Sequence, residues 1–193
     1  MDNAEIVQWL HANRTEGCTT DSMDCAAANG HLDVVKWLQA NRSEGLTTKA
    51  MSGAASNGHL HMVQWLHEHT SAGCTSHAMD DAAEHGHLSV IKWLHTNRTE
   101  GCTDTAIMLS LKNDHLAVAS WLKRTFPLLK PPYVELSWFE RVFFPVVLFM
   151  QEHYVDILNR ETFGENTFNL EDIFNLRPSS DAYIKDWLQE TEV

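Results

Sequence analysis

The chain has 193 residues, of which 44% are hydrophobic and 21% are charged, and its formal net charge is -12. This composition is typical of an ordinary globular protein and excludes the disordered and fibrous classes. Both halves of the chain carry an excess of acidic residues, so neither offers a basic face for phosphate groups. We therefore expect neither nucleic acid nor an anionic membrane surface as the main partner.

The N-terminal residues have no basic start and no apolar stretch of the length found in signal peptides. We therefore expect an intracellular protein, cytoplasmic or nuclear, unless a further segment precedes Met1. Met1 falls in the middle of a repeat, since Asn3 occupies the position that His31 has in the next copy. Either the chain is a fragment or the array begins with a half-unit.

A repeat of 28 residues runs through residues 1–122. Five Trp-Leu pairs mark it, and Gly, His and paired Ala residues keep the same spacing. The Trp residues are Trp9, Trp37, Trp65, Trp93 and Trp121. A fixed period of this size is typical of a solenoid, in which stacked copies of one unit build a continuous core. Because a Trp can bury about 150 to 250 Å², we predict that this column is core, with an exposed ligand platform as the alternative.

Each unit is predicted to contain two helices. The first is short, begins at a small polar N-cap residue and stops before a Gly, and its paired Ala residues allow close approach of a neighbour. The predicted N-caps are Thr20, Thr48, Ser76 and Asp104. The second helix has an apolar stripe wide enough for packing between two neighbours. The loop that follows it is expected to turn at a glycine such as Gly45.

Three of the four cysteines, Cys18, Cys74 and Cys102, occupy one position of the repeat, where Leu46 stands in the remaining copy. Equivalent positions in stacked helices lie about 8 to 10 Å apart. A disulfide spans at most roughly 7 Å between Cα atoms. We therefore predict free thiols in a reducing compartment, at a position that requires an apolar group.

Three stretches of the repeat share a common core, A-A-x-x-G-H-L followed by a helix of V-V-x-x-L type. They are 23–32, 51–60 and 79–88. The array over residues 1–122 resembles ankyrin repeats in this core. The resemblance implies an all-α fold, a right-handed α-solenoid of helix-turn-helix repeats. The period of 28 residues is shorter than the family's usual length of about 33, and the T-P-L-H opening is replaced. We therefore expect the projecting β-hairpin of the family to be shortened or absent.

The resemblance also implies a non-catalytic scaffold that binds a protein through a concave face made of the first helices and the loops. Positions on this face that vary between copies are the candidate partner contacts. They are Asp21, Asp24, Lys49, Ser52, His77, Asp80, Asp81, Glu84, Thr105 and Met108. The acidic residues in the middle of the face imply a basic peptide or patch as the complement. A solvated surface without a partner is the alternative at any one position.

The sequence contains no set of residues that would support catalysis or hold a cofactor. Of its 12 His residues, four form a column that is a structural turn position in the family. They are His31, His59, His87 and His115. We find no metal-binding spacing of HExxH or Cys-x-x-Cys type, no Ser-His-Asp order and no Gly-rich phosphate loop. We therefore predict no enzyme activity, no cofactor and no metal.

The repeat stops at Lys123, and all five Pro, all eight Phe and all three Tyr lie beyond this point. We predict that residues 123–193 form a helical cap or companion module, with one helix opening at Ser137 and another over 146–159. The apolar run 142–150 is far shorter than the about 20 residues that span a bilayer. Peripheral membrane contact or insertion into a partner's groove is the alternative.

A competing hypothesis assigns the binding to this second module and makes the repeats a spacer. The last residues, Glu190 to Val193, resemble a PDZ ligand, because a free carboxylate, an apolar last side chain and Thr191 suit strand addition to a sheet edge. Both hypotheses describe a protein that binds other proteins.

Overall fold

A computed structural model describes residues 3–13, 18–132 and 144–154. Within these ranges the chain forms ten α-helices and no strand. They are α1 (Asn3–Asn13), α2 (Thr20–Ala28), α3 (Leu32–Asn41), α4 (Thr48–Ser56), α5 (Leu60–His69), α6 (His77–Glu84), α7 (Leu88–Asn97), α8 (Asp104–Lys112), α9 (Leu116–Thr125) and α10 (Phe144–His153). We call α2, α4, α6 and α8 the first helices, and α1, α3, α5, α7 and α9 the second helices. The all-α repeat fold is thus confirmed, and the described loops between units contain no β-hairpin.

The first helices begin one residue earlier than predicted in three of the four units. The hydroxyl groups of Thr47 and Thr103 accept hydrogen bonds from the backbone N–H groups of Lys49 and Thr105. Thr19 caps α2 in a similar way. The predicted N-caps Thr20, Thr48 and Asp104 are therefore the first residues of their helices. The preceding Thr has the extended backbone that aims its side-chain oxygen at the first helical turn.

The core lies between the two rows of helices. Met51, Ala54 and Ala55 of α4 are fully buried, as are Val63 and Leu66 of α5. The first helices contact one another far more extensively than the second helices do. Small side chains permit this approach, and the paired Ala residues supply them in most units. The row of first helices therefore packs more tightly than the row of second helices.

The Trp column lies at the edge of this core, which corrects the prediction that it is fully core. Four of its members are half-buried and pack against the buried cluster from its edge: Trp37, Trp65, Trp93 and Trp121. Trp9 is 54% exposed. Val63 and Leu66 already fill the space between the helices in their unit, so the indole lies on the flank. There it meets a His from the neighbouring unit, as His67 meets Trp93 with ring centroids 5.2 Å apart.

Replacing Trp65 with Ala should lower the free energy of unfolding by about 2 kcal/mol, below the about 3 to 5 kcal/mol lost when a buried Trp is truncated. The ring is part-exposed and stacks on His69 of its own helix at 5.0 Å, so its removal opens little internal space. Chemical denaturation measures the change. Trp9→Ala is the matched control and should cost less, because Trp9 is more exposed. Equal losses in the two variants would contradict the edge position of Trp65.

The helix α10 packs on the end of the array. Val146, Phe149 and Met150 belong to the same buried cluster as the repeat core. The hydroxyl of Tyr154 donates to the backbone oxygen of Leu129 at 3.2 Å, and burial raises the pKa of Tyr154 to about 12.

The described part of this module differs from its prediction in two details. The observed helix is Phe144–His153, whereas a helix over 146–159 was predicted, and its buried side chains include Val146, Phe149 and Met150. The last repeat helix continues to Thr125, past the predicted boundary at Lys123. Ser137, residues 155–159 and the C-terminal tail lie outside the described residues. No helix in the described ranges is long and apolar enough to cross a membrane.

Candidate functional site

The solvent side of the first helices is the candidate binding face. In α4 this side consists of Lys49, Ser52, Gly53 and Ser56, which are exposed or half-buried and share one side of the helix. Their equivalents in the other units include the predicted contact residues. Asp21, Lys49 and His77 are exposed, and the half-buried ones are Ser52, Asp81, Glu84 and Thr105. Seven of the ten predicted contact residues are therefore exposed or half-buried.

Three predicted contacts are buried, which corrects the prediction for Asp24, Asp80 and Met108. Their exposed fractions are 4%, 3% and 8%. Met108 contributes its side chain to the packing of the last repeat. The two aspartates are used inside the fold, where each carboxylate reaches the loop of the following unit.

We call the contact made by each buried aspartate the Asp–Thr clamp. Asp80 accepts hydrogen bonds from the backbone N–H and the hydroxyl of Thr103, both at 2.8 Å. Asp24 accepts the same pair from Thr47, at 2.9 and 2.5 Å. Burial raises the pKa of Asp80, and the hydrogen bonds from Thr103 oppose this shift. The clamp thus positions the Thr that caps the next first helix.

Two acidic side chains on this face, Asp81 and Glu84, belong to α6. Burial raises the pKa of Asp81, and the nearby His77 opposes this shift. Asp81 and Glu84 lie close enough for like-charge repulsion to add to the shift. At the other end of the face, Lys49 and Asp21 form an ion pair of 3.3 Å with both side chains largely exposed, so their charges offset each other.

His85 also lies on this face, although the sequence analysis did not include it. Its Nδ1 is 2.9 Å from the backbone oxygen of Asp81 and 3.3 Å from the hydroxyl of Ser56. The signal for it was present, since His85 is four residues after Asp81 and therefore on the same side of the helix.

The His column performs a packing role. A Cβ atom added to Gly58 would lie 2.6 Å from Nδ1 of His87, so the His ring occupies the space that a side chain at Gly58 would need. The rings of His59 and His115 lie against the glycines of their own preceding units in the same way. Burial lowers the pKa of His87. Among the described residues, no group of His, Cys, Asp and Glu could hold a metal ion.

The cysteines of the repeat position act as apolar packing groups. Cys18, Cys74 and Cys102 are half-buried, and all three pack against the core. Burial raises the pKa of Cys102 to about 12 and raises that of Cys74 as well. Thiols with raised pKa values stay protonated, so Cys74 and Cys102 are poor nucleophiles and poor metal ligands.

The loop before α8 contains an ion pair between Arg98 and Glu100. The hydrogen bond from Arg98 lowers the pKa of Glu100 from 4.5 to about 2. A carboxylate whose pKa is lowered by folding stabilises the folded chain fully at pH values above its pKa in the unfolded chain. This stabilisation is lost as the pH falls through its pKa in the folded chain.

We therefore expect an NMR titration to place the Glu100 carboxyl pKa near 2 and the Arg98→Gln variant to return it toward 4.5. The wild-type chain should lose the Glu100 contribution between pH 4.5 and about 2, and Glu100→Gln should remove that part of the pH dependence. A carboxyl pKa near 4.5 in the folded wild-type chain would contradict the pairing.

Two family models match the chain. One, described as ankyrin repeats in three copies, matches residues 23–101, and the other, described as ankyrin repeats in many copies, matches residues 2–39. No curated protein matches the chain at a significant level. The helix pair that follows the matched region, α8 and α9, continues the same period. Residues 2–101 of the chain therefore belong to the ankyrin repeat family.

Proposed function

We propose that the array is a non-catalytic scaffold that binds a protein partner through the exposed face of its first helices. Ankyrin repeats are in general protein–protein interaction modules. The observation that carries the proposal is the division of each first helix into two sides. In α4 the buried side consists of Ala50, Met51, Ala54 and Ala55. The opposite side varies from unit to unit on this fixed frame.

The partner is a basic segment that lies across α6. Asp81 and Glu84 give this part of the face a negative charge. The charges of Asp21 on α2 and Lys49 on α4 offset each other, because the two side chains form an ion pair. Complementary charge gives orientation and speeds encounter more than it adds affinity. Affinity comes from a surface whose helices are already formed before binding, so little secondary structure has to be ordered at the interface.

A random peptide library displayed on phage tests this proposal with the full chain as bait. Selected peptides should be enriched in Lys and Arg. The double variant Asp81→Asn with Glu84→Gln should bind them about tenfold more weakly, a change of about 1.4 kcal/mol. The loss should shrink at high salt.

The matched control is Asp33→Asn with Glu68→Gln, which removes the same charge from exposed positions on the second helices. Binding to the control should equal that of the wild type. Peptides that bind the α6 double variant as well as the wild type would refute the acidic face and would favour residues 123–193 as the binding module. Charge variants suit this test better than truncation after Leu122, because α9 continues to Thr125 and α10 shares the repeat core.

We also propose that the protein acts in a reducing, intracellular compartment. All four cysteines, Cys18, Cys25, Cys74 and Cys102, are free, and three of them are packing groups that need no partner sulfur. Fluorescence microscopy of the tagged chain in its native cell tests the compartment, and secretion into the medium would contradict the proposal.

A further inference from the structure

Among the loops that the structure describes in full, three join a second helix to the next first helix: 42–47, 70–76 and 98–103. The outer two are held in the same two ways. Each contains an Arg–Glu ion pair, formed by Arg42 with Glu44 and by Arg98 with Glu100. Each also receives an Asp–Thr clamp from the preceding first helix, from Asp24 and Asp80 respectively. The loop ends in a Thr whose hydroxyl caps the next helix.

The middle loop lacks each of these contacts. Thr70 and Ala72 stand where the other loops have Arg and Glu, so no ion pair forms within it. Ser52 stands where the units before and after it have Asp24 and Asp80, and its short side chain makes no clamp to Thr75. The hydroxyl of Thr75 instead lies 3.1 Å from Nδ1 of His77.

The start of α6 differs accordingly. Its N-cap is Ser76, which has helical backbone angles, and its side chain accepts no hydrogen bond from the first turn. The helix has 8 residues, whereas the other first helices have 9. An uncapped helix end leaves backbone N–H groups without an intramolecular acceptor, which weakens the first turn.

Other contacts between the unit of α4 and α5 and the unit of α6 and α7 are retained. His67 meets Trp93 edge to face at 5.2 Å, and Arg98 donates to Nδ1 of His67 at 3.3 Å. The apolar contact between α4 and α6 is also present, with Ala55 and Ala82 fully buried. The second helices therefore contact each other across this boundary. The loop 70–76 keeps the hydrogen bond from the Thr70 hydroxyl to the backbone oxygen of Leu66, but it lacks the ion pair and the clamp of the other two loops.

We propose that the loop 70–76 and the first turn of α6 form a weak joint, at which the array opens locally while the units on both sides remain folded. Repeat arrays have stabilities that add unit by unit, so a boundary with fewer contacts opens before the rest. This inference does not depend on the proposed binding function. It identifies α6, the helix with Asp81 and Glu84, as the first helix most able to adjust its position.

Hydrogen exchange of the full chain tests the joint. The amides of 75–78 should have protection factors about tenfold lower than the equivalent amides 47–50 and 103–106, which the clamps protect. Ser52→Asp supplies the missing carboxylate and should raise the protection of 75–78 about tenfold, as one charge-assisted contact can. Ser52→Ala is the control and should change nothing. Adding Thr75→Val to Ser52→Asp should remove the gain.

Asp24→Ser gives the complementary test, because it removes the clamp from the loop 42–47 and leaves the Arg42–Glu44 ion pair in place. It should lower the protection of 47–50 toward the value of 75–78 and leave 103–106 unchanged. Equal protection of the three loops in the wild-type chain would overturn the joint. A folded Ser52→Asp variant, judged by circular dichroism, whose 75–78 amides exchange as before would overturn it too. If that variant does not fold, the wild-type comparison and Asp24→Ser still decide.

Discussion

Gly58→Ala is expected to lower the free energy of unfolding by about 3 kcal/mol, for two reasons that add. The backbone of Gly58 has a φ of +75°, which costs a residue with a Cβ atom about 1 to 2 kcal/mol. The new Cβ would also lie 2.6 Å from Nδ1 of His87, so the ring that joins two units must move. Chemical denaturation of the full chain measures the loss.

Gly45→Ala separates the two causes. Gly45 has nearly the same φ, +77°, but no atom lies within 4 Å of the added Cβ. It should therefore lose only the backbone contribution, about 1 kcal/mol. Adding His87→Ala to Gly58→Ala should cost less than the sum of the two single changes, because the clash is then absent. Equal losses of unfolding free energy in Gly45→Ala and Gly58→Ala would mean that the contact with the His87 ring adds nothing to the cost at Gly58.

Asp80→Ala is expected to lower the free energy of unfolding by about 3 kcal/mol, since hydrogen bonds to a charged group contribute about 1.5 to 3 kcal/mol each. The substitution removes two such bonds to Thr103, and with them the support for the N-cap of α8. The substitution also removes the free-energy cost of burying the Asp80 carboxylate, which offsets part of the loss.

Asp21→Ala is the matched control. Its carboxylate pairs with Lys49, but both side chains are largely exposed, so the expected loss is at most about 0.5 kcal/mol. Denaturation curves monitored by circular dichroism compare the two variants. A loss for Asp80→Ala as small as that for Asp21→Ala would mean that the clamp contributes nothing to stability.

The sequence predicted the helix pairs and the loops without strands, because each depends on local signals repeated in register. Gly58 and His87 illustrate this, since their columns recur at the 28-residue period and their contact recurs between units. The depth of the Trp column was not predictable in this way. A helical stripe shows which side is apolar, but not that Val63 and Leu66 lie deeper than Trp65.

The candidate site was predicted as a face but not residue by residue. Variation between copies was interpreted as exposure, and for Asp24 and Asp80 this interpretation failed. Their partners, Thr47 and Thr103, are in the next unit, so the burial follows from a contact between copies that no single unit contains. Thr75 occupies the repeat position of Thr47 and Thr103, but the unit before it has Ser52 instead of an aspartate. Because the Asp–Thr pair is missing from that copy, the repeat pattern alone did not reveal the pairing.

The contacts between units have a direction along the chain. The ring of His87 lies against Gly58 and the hydroxyl of Thr103 donates to Asp80, so in both cases a residue of the later unit completes a contact with a residue of the unit before it. During synthesis on the ribosome, where domains form from the N-terminus onward, each emerging unit therefore finds the residues that it contacts in the unit before it already made. The array can assemble in the order of translation, without waiting for residues that have not yet been added.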